Sequence, residues 1–393
     1  MSILLHILIE YTGNLIDRIM RKKKEYLMPE DKAAIRPRIA DRETLILDIQ
    51  GSLNSACENT LARFFDKEMG KYKNVLLNLT DLTRMDAEGA TILLVYAARL
   101  AQKKIGLAAC RLGKPFRDVF RLTGLDQAIA LLETENEALS RRPFSTGVQP
   151  RDHDLQAYMG PRAPGWAGNV EYIVIGDVPA GAMNINANGR QVTSPVNGFG
   201  RLWEKKYRFQ IKNSDREPQK IISLWRKEFP DFWPQGNLLF TSGGVSIAPG
   251  ATALLNLSIG GMLVLATGII VIYAADESFC FSTVQGHMLC GWINFSSFRE
   301  GDNTIIQVHP LFRAADPLME LGFRFGAAKQ EDQFWHQTLR NLAARLGVEG
   351  KVEQQNVLID RHLQWGEIGN VWYCGAIRSS LYMPLYLMRK ILS

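Results

Sequence analysis

The chain has 393 residues, enough for two or three domains that each bury a core of their own. Its net charge of +6 comes from scattered Lys and Arg residues with one cluster, Arg21-Lys22-Lys23-Lys24, which excludes a nucleic-acid-binding stripe. Five cysteines, an odd number with no CxxC pair, exclude a disulfide scaffold and fit a reducing cytoplasm.

All eight Trp lie at or after Trp166, so the early chain builds its core from Leu, Ile, Val and Ala while the later chain relies on Trp and Phe. Two separately evolved modules explain this most simply. The opening run MSILLHILIEYTGNLIDRIM carries His6, Glu10 and Asp17 and lacks the order of a signal peptide. It predicts an amphipathic helix within residues 1–32, with three placements open: packed on the first domain, paired with a second chain as a homodimer, or lying on an anionic membrane.

Strands are expected at 35–39 and 44–49. A helix should then start at Gly51-Ser52-Leu53-Asn54-Ser55 and run to about residue 69, with Leu61, Phe64, Phe65 and Met69 on one side. In the stretch 75–106, Val75, Leu76, Leu77 and Leu79 form an apolar run of buried-strand length. Ala90, Leu93, Leu94, Ala97, Ala98 and Ala101 then recur at helical spacing. The turn between them, Met85-Asp86-Ala87-Glu88-Gly89, should leave the first helical N–H groups pointing outward, a place for a carboxylate or phosphate. Asp86 is the natural N-cap and Gly89 would let a partner approach the backbone. The plainer alternative is one more strand-to-helix cap. A strand at 107–112, a helix at 114–122 ended by Thr123-Gly124, a strand at 129–132 and an acidic helix at 133–139 complete an α/β layer over residues 33–140.

The order and residues of this part resemble the STAS domain of anti-sigma factor antagonists and sulfate transporter tails. The resemblance rests on Leu45-Ile46-Leu47-Asp48-Ile49-Gln50-Gly51-Ser52-Leu53, on Leu77-Asn78-Leu79 before the Asp86 turn, and on Phe120-Arg121-Leu122-Thr123-Gly124-Leu125-Asp126. It implies a protein partner, anti-sigma-like or otherwise regulatory, bound through Thr83, Asp86, Ala87, Glu88 and Gly89. In that family the residue after the Asp is a Ser that a partner kinase phosphorylates to switch binding off. Here it is Ala87, which has no hydroxyl, and Asn78 stands where the family commonly has Asp. A phosphoserine would add about −1.5 to −2 charges beside Asp86, and the single carboxylate of Glu88 is a poor substitute. The resemblance therefore implies either a permanently unmodified binder or a scaffold regulated elsewhere, with Thr80, Thr83 and Thr91 as the nearby hydroxyls.

Residues 141–166 are rich in Pro, Gly and charge and read as a linker. The module at 167–350 begins with an arm holding one strand at 170–175 and a Gly- and Asn-rich passage to residue 200. A strand at 206–211 precedes a helix capped by Asp215 with Pro218 in its first turn. Strands follow at 238–240, 253–259, 262–273, 278–283, 291–298 and 304–312, and a long helix at 331–346 stops at Gly347. Residues 251–275 carry no charge over a length that could cross a bilayer. Gly260-Gly261 and the β-branched Ile269-Ile270-Val271-Ile272 mark them instead as a hairpin.

This order is that of the helix-grip, START-like fold, an α+β arrangement of a curved antiparallel sheet around a long C-terminal helix. Gly286-His287-Met288-Leu289-Cys290-Gly291-Trp292-Ile293-Asn294-Phe295 and Phe312-Arg313-Ala314-Ala315-Asp316-Pro317 also resemble a bacterial family of unknown function placed among START-like proteins. Trp225, Trp233, Trp292, Phe295 and Trp335 are candidates to line a pocket for a small apolar ligand or lipid, or simply to fill the core. Arg313 could orient a polar ligand group or pair with Asp316. His287, His309, His336 and His362 show no metal-ligand spacing, and no GxSxG, HExxH, P-loop or GxGxxG motif occurs, so no metal, cofactor or catalytic residue is assigned. Residues 351–393 form an extension ending in a sticky segment, 372–392, flanked by Arg378, Arg389 and Lys390. It could dock on the body, pair with another chain or touch a membrane.

These readings converge on a bacterial regulatory or scaffold protein of the cytoplasm, with membrane association as an open alternative, that couples a START-like ligand domain to a STAS domain lacking its phosphoserine. A carrier of hydrophobic molecules and a cyclase-type enzyme are the alternatives.

Overall fold

The computed structural model describes residues 34–68, 70–150, 160–241, 247–259 and 262–392. The helix expected within 1–32, the turn at 243–244 and the hairpin tip at 260–261 lie outside them. The chain divides into two compact units, one made of residues up to Lys114 with Ile129–Gly147, the other of Pro115–Ala128 with Val148 onward.

The first unit is a five-stranded sheet in sequence order: β1 (Ala34–Ile39), β2 (Thr44–Leu53), β3 (Asn74–Met85), β4 (Gly106–Cys110) and β5 (Ala130–Leu132). β1 is antiparallel to β2 and the other pairs are parallel. Both sheet faces are covered, which is why β2 to β4 read as unbroken apolar runs. α1 (Glu58–Glu68) and α2 (Ala87–Gln102) meet through Phe65 and Tyr96, stacked 4.1 Å apart. Ile46, Leu76 and Ala108 pack with Ala138 of α5 (Glu135–Ser140) and with Phe144. Arg38 clamps this edge by donating to Asp48 at 2.7 Å and Glu135 at 2.8 Å, and both carboxylates raise its pKa.

β3 is much longer than its apolar run. β4 pairs with it only from Asn74 to Asn78. Beyond Asn78 it keeps β2 alone as neighbour, and its burial becomes partial, with Leu82 and Met85 buried while Thr80, Asp81, Thr83 and Arg84 are exposed. A search for an apolar run misses such a one-sided extension.

The second unit includes α3 (Lys114–Thr123, from Pro115 on) and α4 (Leu125–Ala128), which the expected boundaries place in the first domain. Two contacts hold them there. Arg121 pairs with Glu171 at 3.0 Å, and Gly124, at φ +71°, lies so close to Ser194 that a Cβ would stand 2.4 Å from its Oγ.

The main body is an eight-stranded antiparallel sheet ordered β13-β6-β12-β11-β10-β9-β8-β7. Its strands are β6 (Leu202–Ile211), β7 (Leu238–Phe240), β8 (Thr252–Ile259), β9 (Met262–Ala274), β10 (Ser278–Thr283), β11 (Leu289–Glu300), β12 (Asn303–Ala314) and β13 (Val352–Asp360). With the long helix α8 (Ala328–Arg345) this is consistent with a helix-grip fold, and the charge-free stretch 251–275 is indeed a hairpin, Ile259 pairing with Met262.

One sheet face packs on α6 (Pro218–Lys227), the 3-10 turn Phe229–Phe232 and α8. The other face carries the arm and α9 (Gly375–Leu392). Residues 170–175 form no strand. They fold back on the arm itself, Ile173 N–H donating to Arg190 at 2.9 Å and Gly189 N–H to Ile173 at 2.9 Å, and they cross β9 at Gly268, where a Cβ would meet Ile173 at 2.7 Å. The cap of α6 is Glu217, not Asp215, which is exposed, and Pro218 begins the helix. α7 (Pro317–Gly322) and the turn Phe323–Ala327 lead into α8.

Candidate functional site

At the β3–α2 turn, Asp86 is the N-cap. Its Oδ1 accepts the Gly89 N–H at 2.8 Å, and its own N–H donates to Leu53 O at 3.2 Å. The helix N-terminus is therefore capped from within the chain, a correction to the outward-pointing N–H groups expected from sequence. Burial pushes the Asp86 carboxyl up to about 7, with the Glu88 charge adding to it and the Gly89 N–H and Arg84 opposing it.

Of the five residues expected to touch a partner, Thr83 is exposed and Asp86 half-buried, whereas Ala87, Glu88 and Gly89 are buried. Thr91 Oγ1 donates to Ala87 O at 2.8 Å, tying the first helical turn together. Gly89 serves packing within the domain, because a Cβ there would lie 2.3 Å from Leu53 O.

In the second unit, Trp225, Trp233, Phe295 and Trp335 all belong to one buried cluster on the helix-covered sheet face. Their rings meet edge to face, Trp225 with Phe295 at 5.3 Å and Phe295 with Trp335 at 5.6 Å. The indole nitrogens of Trp225 and Trp233 are buried without an acceptor. Trp292 and Arg313 do not join them. Strand alternation places both on the opposite face, Trp292 three residues from Phe295 on β11 and Arg313 five from Val308 on β12. Nor does Arg313 pair with Asp316. It binds Asp360 at 2.6 Å and donates to Gly200 O at 2.8 Å, while Asp316 caps α7 through the N–H groups of Leu318 and Met319.

The four histidines are dispersed. His287 Nδ1 accepts the Leu289 N–H at 3.0 Å, and burial pushes its pKa down to about 4. His309 lies 3.0 Å from Glu204, His336 2.8 Å from Gln354 and His362 2.8 Å from Asp360. Among the described residues no group of His, Cys, Asp and Glu could hold a metal ion.

Sequence reasoning missed two polar constellations. Lys205, only 4% exposed, binds Glu331 and Asp332, the latter at 2.6 Å. Tyr207 OH donates to Asp332 at 2.6 Å and Trp335 Nε1 to Glu331 at 3.1 Å. The available signal was a lysine on the apolar side of a strand, Lys205 two residues before Tyr207. The second is a cleft of about 70 Å³ beside the β10–β11 connection, lined by Thr193, Asn197, Cys290, Asp316, Glu367 and Asn370 among others. It has room for a few waters and not for a drug-sized ligand. Burial pushes the Cys290 thiol up to about 12, so it stays protonated and is a poor nucleophile.

Residues 33–138 match the family described as the STAS domain. Similar solved structures include an anti-sigma factor antagonist from Mycobacterium paratuberculosis, 19% identical, covering 29% of this chain and 97% of that one, with a TM-score of 0.25. The Bacillus cell fate determinant SpoIIAA in its phosphorylated form is 22% identical, covering 28% of this chain and 98% of that one, with a TM-score of 0.25. The di-domain ARO/CYC StfQ from the steffimycin biosynthetic pathway is 10% identical, covering 38% of this chain and 53% of that one, with a TM-score of 0.31. The family match thus assigns residues 33–138 to a STAS domain. Among the described residues no helix is long and apolar enough to cross a membrane.

Proposed function

We propose that the chain is a regulatory protein whose STAS domain binds a protein partner at the rim formed by Thr83 and Asp86, without a phosphorylation switch in the turn, and whose second unit is START-like and senses a small apolar ligand. The observation that carries the first half is Ala87. It occupies the first position of α2, directly after the cap, with neither a hydroxyl nor an exposed side chain. Thr83→Lys is the cleanest probe, because Asp86→Lys would also remove the helix cap. In affinity capture with the full chain, Thr83→Lys is expected to lower recovery of a wild-type-specific partner at least about tenfold, a loss of roughly 1.4 kcal/mol. Recovery equal to wild type removes this rim from the interface.

The two buried indole N–H groups of Trp225 and Trp233, donors without an acceptor inside an aromatic cluster, support a ligand with an apolar body and one acceptor. They equally favour a second reading, a carrier of hydrophobic molecules or a cyclase-type enzyme using the same space. Native mass spectrometry with solvent extraction of the purified chain is expected to release one bound apolar compound, and Trp225→Phe to lower its occupancy. A chain that releases nothing and takes up no added lipid eliminates the sensor and the carrier together.

A further inference from the structure

One surface of the second unit exposes large apolar side chains from three structural pieces. α7 and its following turn present Leu318, Leu321 and Phe325 at spacings of three and four, the repeat of a single helix face, with Phe325 82% exposed. Gly326, at φ +123°, breaks the helix just there and leaves Phe325 at the corner. α7 lies against the 3-10 segment Trp365–Tyr373, in which Trp365 is 66% and Trp372 83% exposed. That segment runs through buried Cys374 into α9, where Ile377, Leu381 and Met388 fall on one exposed stripe.

The inner sides of these pieces are tied down. Trp365 meets Phe199 edge to face at 5.4 Å, and Ser379 Oγ accepts the Ala266 N–H at 3.0 Å. The exposed rings are thus held outward on a fixed backbone. Their surroundings are cationic. Among the described side chains of residues 361–393, Arg361 and Arg378 stand against one carboxylate, Glu367, whose pKa burial raises. Arg190 lies over the Tyr373 ring at 5.7 Å and is close enough to Arg378 for the two charges to repel, and burial and that repulsion lower its pKa. No carboxylate among the described residues shifts the Arg190 pKa.

We propose that this surface docks on an anionic lipid bilayer, with Phe325, Trp365, Trp372 and Leu381 entering the headgroup layer and Arg190 and Arg378 receiving a lipid phosphate. Exposed Trp and Tyr beside cations suit the interface between apolar chains and charged headgroups. A second copy of the chain fits worse, because a symmetric contact would bring two cationic surfaces together.

The test is co-sedimentation of the full chain with phosphatidylcholine vesicles, with and without phosphatidylserine. Wild type should bind the mixed vesicles. Trp365→Ser with Trp372→Ser should weaken that binding at least about tenfold, and Arg190→Gln with Arg378→Gln about fivefold per cation removed, on mixed vesicles only. Because Arg21-Lys22-Lys23-Lys24 can attract anionic lipid independently, Lys22→Gln, Lys23→Gln and Lys24→Gln are combined as a second background, in which the tryptophan effect should persist. Tryptophan variants that sediment like wild type in both backgrounds overturn the proposal. So does a concentration-dependent dimer that Trp372→Ser abolishes without any vesicle binding. Binding of inorganic phosphate at the arginines with no vesicle binding overturns it too.

Discussion

Lys205→Met is expected to destabilise the second unit by about 3–5 kcal/mol, the cost of leaving a buried charge without its partner. The lysine is 4% exposed and is the cation to which Glu331 and Asp332 both turn. Without it two carboxylates face each other beneath the sheet, left with the weaker, uncharged donors Tyr207, Trp335 and Gln354. Adding Glu331→Gln and Asp332→Asn should recover most of the loss, because the deficit lies in unpaired charge rather than in lost packing. All eight Trp lie in the second unit, so denaturant unfolding followed by tryptophan fluorescence reads this unit alone.

The pH dependence has a defined sign. The carboxylates raise the Lys205 pKa against the opposing effect of burial, so its contribution is fully present below its ordinary value of about 10.4 and is lost as pH climbs through the raised value. Glu331 is pushed up by burial and Asp332 is held down by Lys205 and Tyr207, so in acid the two carboxylates act with opposite signs. The gap between wild type and Lys205→Met should therefore narrow above about pH 10.4, and narrow again in acid, where protonation of the two carboxylates removes the unpaired charge from the variant. A gap that stays constant through the alkaline range would mean that the lysine acts by packing its stem.

The second large effect is Gly89→Ala. A methyl group would meet Leu53 O at 2.3 Å and Leu53 C at 2.9 Å, backbone atoms that cannot rotate away. The same carbonyl accepts the Asp86 N–H, so relief of the clash must loosen the joint between β2 and α2. Overpacking costs about 3 kcal/mol, and the better helix propensity of Ala offsets about 1, leaving a net loss of about 2. Amide hydrogen exchange along β3 and α2 should accelerate accordingly. Gly70→Ala is the control, since nothing lies within 4 Å of a Cβ there. Equal exchange in the two variants would refute the role assigned to Gly89.

Much of the molecule is legible in the sequence. Asp86 was recognisable as a cap because a short acceptor stood between a strand-like and a helix-like period, and local chemistry settles such a position. The charge-free stretch 251–275 declared itself a hairpin through its Gly pair and β-branched residues, and Gly347 announced the end of α8. The candidate sites were less legible. Asp86 caps α2 as expected, but Thr83 lies in β3, and the burial of Ala87, Glu88 and Gly89 depends on packing that no local pattern encodes.

Periodicity acts over a few residues, so it specified most of the strands and helices but not the one-sided end of β3 or the strandless stretch 170–175, while residue identity alone gives the absence of a hydroxyl at position 87. Partnership acts across the chain. Arg313 chose Asp360, 47 residues away, over Asp316, three away, because Asp316 was already spent on the cap of α7. Trp292 and Phe295, three residues apart, face opposite layers because a strand alternates sides at every residue. Ile173 of the arm lies about 95 residues from Gly268, which it crosses, and Glu331 lies 126 from Lys205, and only the folded sheet brings such groups together.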